Sequence, residues 1–176
     1  MKILLVMPDG KINKLKLGPI EVSFREAPLT LTFLAALVPE EIHAEITLVD
    51  ESVGTQIPFD ESFDLVGISV MTGTSTRGYL IADSFRRKGI PVVLGGVHVR
   101  LRPEEARCHA DTIVVGFAEE PWPQLLRDHA AGRRKGEYSD TVGNLEQMPA
   151  PRRDLQKRCG NLIPNTVLVT RGGRGH

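Results

Sequence analysis

The chain has 176 residues, 41% apolar and 25% charged, with 22 Lys+Arg balanced by 22 Asp+Glu. This size and composition fit one globular domain with a core of its own, plus an appendage at most. Zero net charge makes no electrostatic case for nucleic acid or an anionic membrane as partner. In chain order, residues 2–7 (KILLVM) read as a first strand, stopped by Pro8-Asp9-Gly10. Their apolar run is too short for a signal-peptide core or a membrane span, so a cytoplasmic protein is expected. Residues 11–27 show no clean period and are expected to form a long loop. Residues 28–38 form a buried helix, with Pro28 in its first turn and Pro39 just past its end. Residues 45–49 are a second strand, followed by Asp50-Glu51. Residues 64–70 are a third strand, opening into a hydroxyl-rich loop (Ser69, Thr72, Thr74, Ser75, Thr76). A helix follows over 76–88, with Gly89 as its C-cap. A fourth strand, 91–94, closes on Gly95-Gly96. Residues 103–108 make a short helix with Pro103 first, and Glu104-Glu105 complement its dipole. Residues 111–115 are a fifth strand. Residues 119–131 are the last helix, with Trp122, Leu125 and Leu126 as core anchors.

Five strands alternating with helical segments predict an α/β domain over residues 1–131. The simplest form is flavodoxin-like (Rossmann-like): a parallel five-stranded sheet in the order 2-1-3-4-5 with helices on both faces. The loops at Pro8, Ser69 and Gly95 would share one crevice at the carboxyl ends of the strands, where ligands of such sheets bind. After Gly132 the composition turns charged and proline-containing. Residues 132–176 are therefore read as a linker or surface-wrapping tail, with one short β-like run at 166–169. Cys108 and Cys159 stand apart, in no CxxC pair, and are read as free thiols.

Two positions carry chemistry. Ser69 ends the third strand, where its hydroxyl can meet a ring nitrogen or a backbone group. Gly95-Gly96 ends the fourth, where missing Cβ atoms let something flat approach the backbone. A loop-capping serine and a tight glycine turn explain the same residues equally well. Asp50-Glu51 could serve a ribose, but no Gly-x-Gly-x-x-Gly follows the first strand, which argues against a dinucleotide.

The order of motifs goes further. Ser69-Val70-Met71 followed by Gly95-Gly96 resembles the Ser-x-Leu and Gly-Gly pair of cobalamin-binding domains. Gly95-Gly96-Val97-His98, then Pro103-Glu104-Glu105, Gly116-Phe117-Ala118-Glu119, the run 148–154 (MPAPRRD) and Thr170-Arg171-Gly172 resemble one branch. That branch is the N-terminal cobalamin (B12)-binding domain of class B radical S-adenosylmethionine enzymes. The resemblance implies a domain that binds and positions cobalamin and is not catalytic alone. It implies a radical S-adenosylmethionine domain as partner, and methyl transfer by way of the cobalt. It implies that Ser69 hydrogen-bonds the dimethylbenzimidazole of the nucleotide tail and that Gly95 and Gly96 let the tail pass. It places Met71, Thr72, Gly73 and Thr74 near the corrin or its amides. Val97 and His98 follow Gly-Gly on a ligand-facing loop, where His98 could touch the ligand edge, cap the next segment or face solvent, and Gly116, Phe117 and Glu119 flank the other side. Where many cobalamin domains carry Asp-x-His-x-x-Gly, this chain has Asp9-Gly10-Lys11 and no histidine, so the expected cofactor is base-off without a histidine ligand. Gly173 stands where the branch has its first cluster cysteine, so no iron–sulfur cluster is expected in this chain. Two other readings stay open: a degenerate domain of this fold that docks a partner without cobalamin, and a flavodoxin-like enzyme or receiver. The receiver is weakened because the third strand ends in Ser69-Val70 where a phosphorylatable Asp belongs.

Overall fold

The computed structural model describes residues 1–10, 14–17, 20–26, 29–140, 148–156, 161–163 and 167. Six strands form one all-parallel sheet: β1 (Lys2–Met7), β4 (Glu45–Asp50), β5 (Leu65–Ser69), β6 (Val92–Gly95), β7 (Thr112–Gly116) and β8 (Glu137–Asp140), in the order β4-β1-β5-β6-β7-β8. The five expected strands stand in the expected order, and β8 adds a sixth at the β7 edge. β1, β5, β6 and β7 are near-continuous apolar runs because both of their faces are covered. Alternate residues of β1 go opposite ways. Ile3, Leu5 and Met7 pack with α1 (Thr30–Ala36) and α5 (Pro121–Ala130). Leu4 and Val6 join the core under α2 (Ser75–Arg86), α3 (Val97–Leu101) and α4 (Pro103–His109).

Local chemistry sets the helix ends. Gly89 takes a positive φ of 74°, and the N–H groups of Gly89 and Ile90 donate to the carbonyls of Arg86 and Phe85. This Schellman closure satisfies the last carbonyls of α2. Pro103 opens α4 at its first turn. On α5, Trp122, Leu125 and Leu126 are buried against the sheet, each contributing ~1.5–3 kcal/mol of apolar burial.

The expected loop over 11–27 is corrected. Residues Lys14–Leu17 (β2) and Ile20–Glu26 (β3) pair antiparallel, and β3 pairs in parallel with β9 (Asn161–Ile163) in a separate three-stranded sheet. The alternation of KLKL and IEVSFRE around Gly18-Pro19 is a hairpin pattern, masked by its charged alternate positions. Residues 97–101, expected as loop, form the short helix α3. β8 and β9 both fall within the stretch read as linker. Pro28, Lys11, Cys159, Thr170–Gly172 as motif, and all of 166–169 but Val167 lie outside the described residues. Cys108 is an exposed free thiol. No helix among the described residues is long and apolar enough to cross a membrane.

Candidate cofactor-binding site

β5, β6 and β7 all end at one edge, and on their α1/α5 side lies an open cavity. Leu34 of α1, Val93, Val114, and Ala118 and Trp122 at the start of α5 give it apolar walls. Thr30 and Ser69 contribute hydroxyls, and Gly67, Gly95, Gly96 and Gly116 contribute bare backbone. Ser69 Oγ has no hydrogen-bond partner among the described residues, so its hydroxyl is available at the cavity.

The four glycines are there for different reasons. At Gly67 a Cβ would stand 2.9 Å from Leu5 Cδ2 and 3.3 Å from Trp122 Cη2, so packing forbids it. Gly96 has φ +103°, and a Cβ would sit 2.6 Å from the Val70 carbonyl oxygen. The close approach lets His98 N–H donate to the Val70 carbonyl (3.1 Å) while Val70 N–H donates to that of Gly95 (2.8 Å). Gly116 has φ +94°, and a Cβ would run into the Asp140 carbonyl of β8, which also accepts from Phe117 N–H at 2.9 Å. Gly95 is unlike the others. Its φ is ordinary, and a Cβ would meet nothing nearer than Val114 Cβ at 3.7 Å. Neither backbone nor packing requires glycine there. Its missing side chain leaves the cavity open.

Of the sequence-predicted residues, Ser69, Gly95, Gly96 and Gly116 therefore meet at one cavity. Asp9, Met71, Thr72, Gly73 and Thr74 lie at the same carboxyl edge without lining it. Asp9 N–H donates to Glu51 Oε2 (3.1 Å), and Arg77 Nε donates to the same oxygen (3.0 Å). That carboxylate, only 12% exposed, ties the β1 loop, the turn after β4 and the first turns of α2 together. Gly10 packs against the next loop; a Cβ there would be 3.1 Å from Thr74 Cγ2. Thr74 Oγ1 in turn accepts from Met71 N–H at 3.1 Å. Glu51, noted in the sequence for a sugar, is thus a bracket between loops.

Val97 is 64% exposed on α3. His98 is buried on the opposite face of the sheet from the cavity, with Nδ1 3.3 Å from Thr72 Oγ1 and Nε2 3.6 Å from Glu105 Oε1. Beside it Tyr79 stacks on His109 at 4.3 Å, and His109 Nδ1 meets Asp83 at 3.0 Å. Burial, with Glu105 nearby, pushes the Tyr79 phenol up to about 12. Phe117 is half-buried just past β7, and Glu119 is buried where the chain turns into α5. Trp122, expected as a core anchor, is also the floor of the cavity. Thr30, Leu34 and Gly67 were not singled out; a glycine inside the apolar run LVGIS was the available signal.

The profile of the B12 binding domain matches residues 20–126. Two relatives come from Chlorobaculum tepidum. Bacteriochlorophyllide d C-8(2)-methyltransferase is 47% identical over 110 residues, which cover 62% of this chain and 24% of that protein. Bacteriochlorophyllide d C-12(1)-methyltransferase is 29% identical over 181 residues, covering 97% of this chain and 38% of that protein. The chain thus spans well under half the length of either relative. With more than half of its residues matched to that profile, and a glycine-lined cavity where parallel sheets bind ligands, the chain belongs to the B12 binding domain family, with cobalamin as its cofactor.

Proposed function

We propose that this domain holds cobalamin with its nucleotide tail in the cavity between α1, α5 and the sheet. The benzimidazole is off the metal, and no histidine of the chain ligates cobalt. We further propose that residues 1–131 form the carrier module, and that the chain beyond leads toward a radical S-adenosylmethionine domain of a methyltransferase. The kinship with two methyltransferases supports that assignment. The observation that carries the tail reading is Gly95: a glycine lining the cavity that neither backbone nor packing requires.

The residues present fit the group. A flat base needs apolar walls and a hydrogen bond at its edge, which Leu34, Val93, Val114, Trp122 and the Ser69 hydroxyl supply. Gly96 and Gly116 bring backbone close to the tail, and Thr72 and Gly73 offer hydroxyl and peptide groups to corrin amides, on a turn that the buried Thr74 hydroxyl holds through Met71. Asp9, Met71 and Val97 border the corrin; Phe117 and Glu119 flank the tail; His98 acts through the Thr72 hydroxyl. Bound cobalamin supplies a cobalt that accepts and passes on a methyl group. The protein's part is enclosure, orientation and exclusion of water.

The test is titration of the purified chain with hydroxocobalamin, followed by gel filtration and a visible spectrum. Co-elution near one to one with a base-off spectrum is expected, and Ser69→Ala should weaken binding about five- to tenfold, the worth of one hydrogen bond. Well-folded protein that elutes without corrinoid would remove the carrier reading and favour a docking module.

A further inference from the structure

We infer that the cavity selects cobamides by the chemistry of their lower base: benzimidazole-type tails are admitted, purine tails are disfavoured, and Trp122 sets the depth. This inference rests on the tail-in-slot reading above and goes beyond it to the class of ligand.

The argument is the distribution of polar atoms along β5. Ser69 stands at the strand's end, half-buried, with its hydroxyl unengaged. Gly67 lies two residues further in, about 7 Å deeper at strand spacing. There the Trp122 ring closes over the glycine, 3.3 Å from the site of an absent Cβ, and is 2% exposed. Its indole N–H is already committed, donating to the Leu34 carbonyl at 3.1 Å. The indole therefore offers hydrocarbon to the cavity and no donor. Leu34, Val93 and Val114 beside it are hydrocarbon as well. Thr30, the other hydroxyl, is itself exposed at the first position of α1.

A slot with one hydroxyl at its mouth and carbon at its floor suits a base with one edge nitrogen and a methylated or bare far edge. An adenine base carries an exocyclic amine and further ring nitrogens. Inserted the same way, it leaves at least one of them against Trp122 without a partner, and a buried unpaired donor is strongly disfavoured. The apolar far edge of a benzimidazole meets no such penalty. Gly67 maintains the arrangement, since a Cβ there would press on Leu5 Cδ2 at 2.9 Å and on the Trp122 ring at 3.3 Å.

The test titrates the full chain with three corrinoids under one condition: cobalamin, an adenine-tailed cobamide, and tail-less cobinamide. Cobalamin should bind at least about tenfold tighter than the adenine form, a gap of ~1.4 kcal/mol, and cobinamide should bind weakest. Equal affinities for the two tailed forms, with cobinamide weaker, would overturn the selection and leave the tail reading intact. Cobinamide binding as tightly as cobalamin would overturn both. Two variants locate the selection. Trp122→Phe deepens the floor and should narrow the gap between tails while leaving cobinamide unchanged. Leu34→Gln, at a half-buried position, adds an amide to the wall and should shift preference toward the adenine form. With folding checked by circular dichroism, an unchanged ratio in Leu34→Gln, or an equal loss for all three corrinoids in Trp122→Phe, would overturn the assignment to this wall.

Discussion

Replacing Gly95 with valine separates function from fold. At this position φ is ordinary and the nearest atoms to a new Cβ are Val114 Cβ at 3.7 Å and Val114 O at 3.8 Å, normal contact distances. Glycine inside a strand costs about 0.5–1 kcal/mol relative to alanine, and a β-branched residue suits a strand still better. Gly95→Val should therefore leave stability unchanged or raise it by up to ~1 kcal/mol. Its methyls, however, point into the cavity. Forcing carbon into space meant for a ring costs about 1–3 kcal/mol or more, so cobalamin affinity should fall at least five- to 150-fold. Gly96→Ala is the contrast: a Cβ 2.6 Å from the Val70 carbonyl, on a backbone with φ +103°, should lower stability by several kcal/mol whatever the ligand. Urea unfolding of the apo proteins gives the first quantity and corrinoid titration the second. A Gly95→Val protein that is clearly less stable than wild type, or that binds cobalamin undiminished, would refute the reasoning.

Glu51→Ala removes the acceptor shared by Arg77 and the Asp9 N–H, and should cost ~1–3 kcal/mol; urea unfolding measures it, and faster amide exchange at Asp9 should accompany it. Both tyrosines have raised phenol pKa values, Tyr79 to about 12 by burial and Glu105, and Tyr138 by burial in the first place. An ultraviolet titration of the folded protein should show both phenols ionising later than in the unfolded chain, Tyr79 near 12. Because the unfolded phenols ionise near 10, stability should decline as pH rises from there toward 12. The Asp128 carboxylate accepts from the Tyr138 hydroxyl (2.9 Å) and Gln124 Nε2 (3.0 Å), which hold its pKa below the ordinary value. Its contribution is complete above the unfolded carboxylate pKa and is lost as pH falls through the lower folded one; Asp128→Asn should flatten the acid limb of the stability profile.

The parallel sheet was legible because β1, β5, β6 and β7 are apolar on both faces and bounded by Pro, Gly and Asp. β8 was not: EYSD buries one residue, Tyr138, and an edge strand of four polar-rich residues has no pattern to read. Helix α3 hid because five residues after Gly-Gly scan as loop, and with it the burial of His98. At the site, Ser69, Gly95, Gly96 and Gly116 announced themselves as small or hydroxyl residues at strand ends. Thr30, Leu34 and Trp122 looked like ordinary helix residues. What makes them a wall is a juxtaposition, Trp122 against Leu34 across 88 positions, that no local pattern encodes.

The contact of residues 152–155 with α1 bears on the order of assembly. After β8, at the far edge of the sheet, the chain returns to α1, where Arg152 N–H donates to the Thr32 carbonyl at 2.9 Å and Leu155 packs on the same core. The helix that forms one wall of the cavity is thus braced by residues synthesised long after it. Contacts so far apart in sequence are slow to form because loop-closure entropy opposes them. The sheet can exist before the cavity has its final shape. Tight capture of the cofactor therefore belongs to the last stage of folding, and a corrinoid present during refolding should speed the approach to full protection of α1 more than that of β1 or β5.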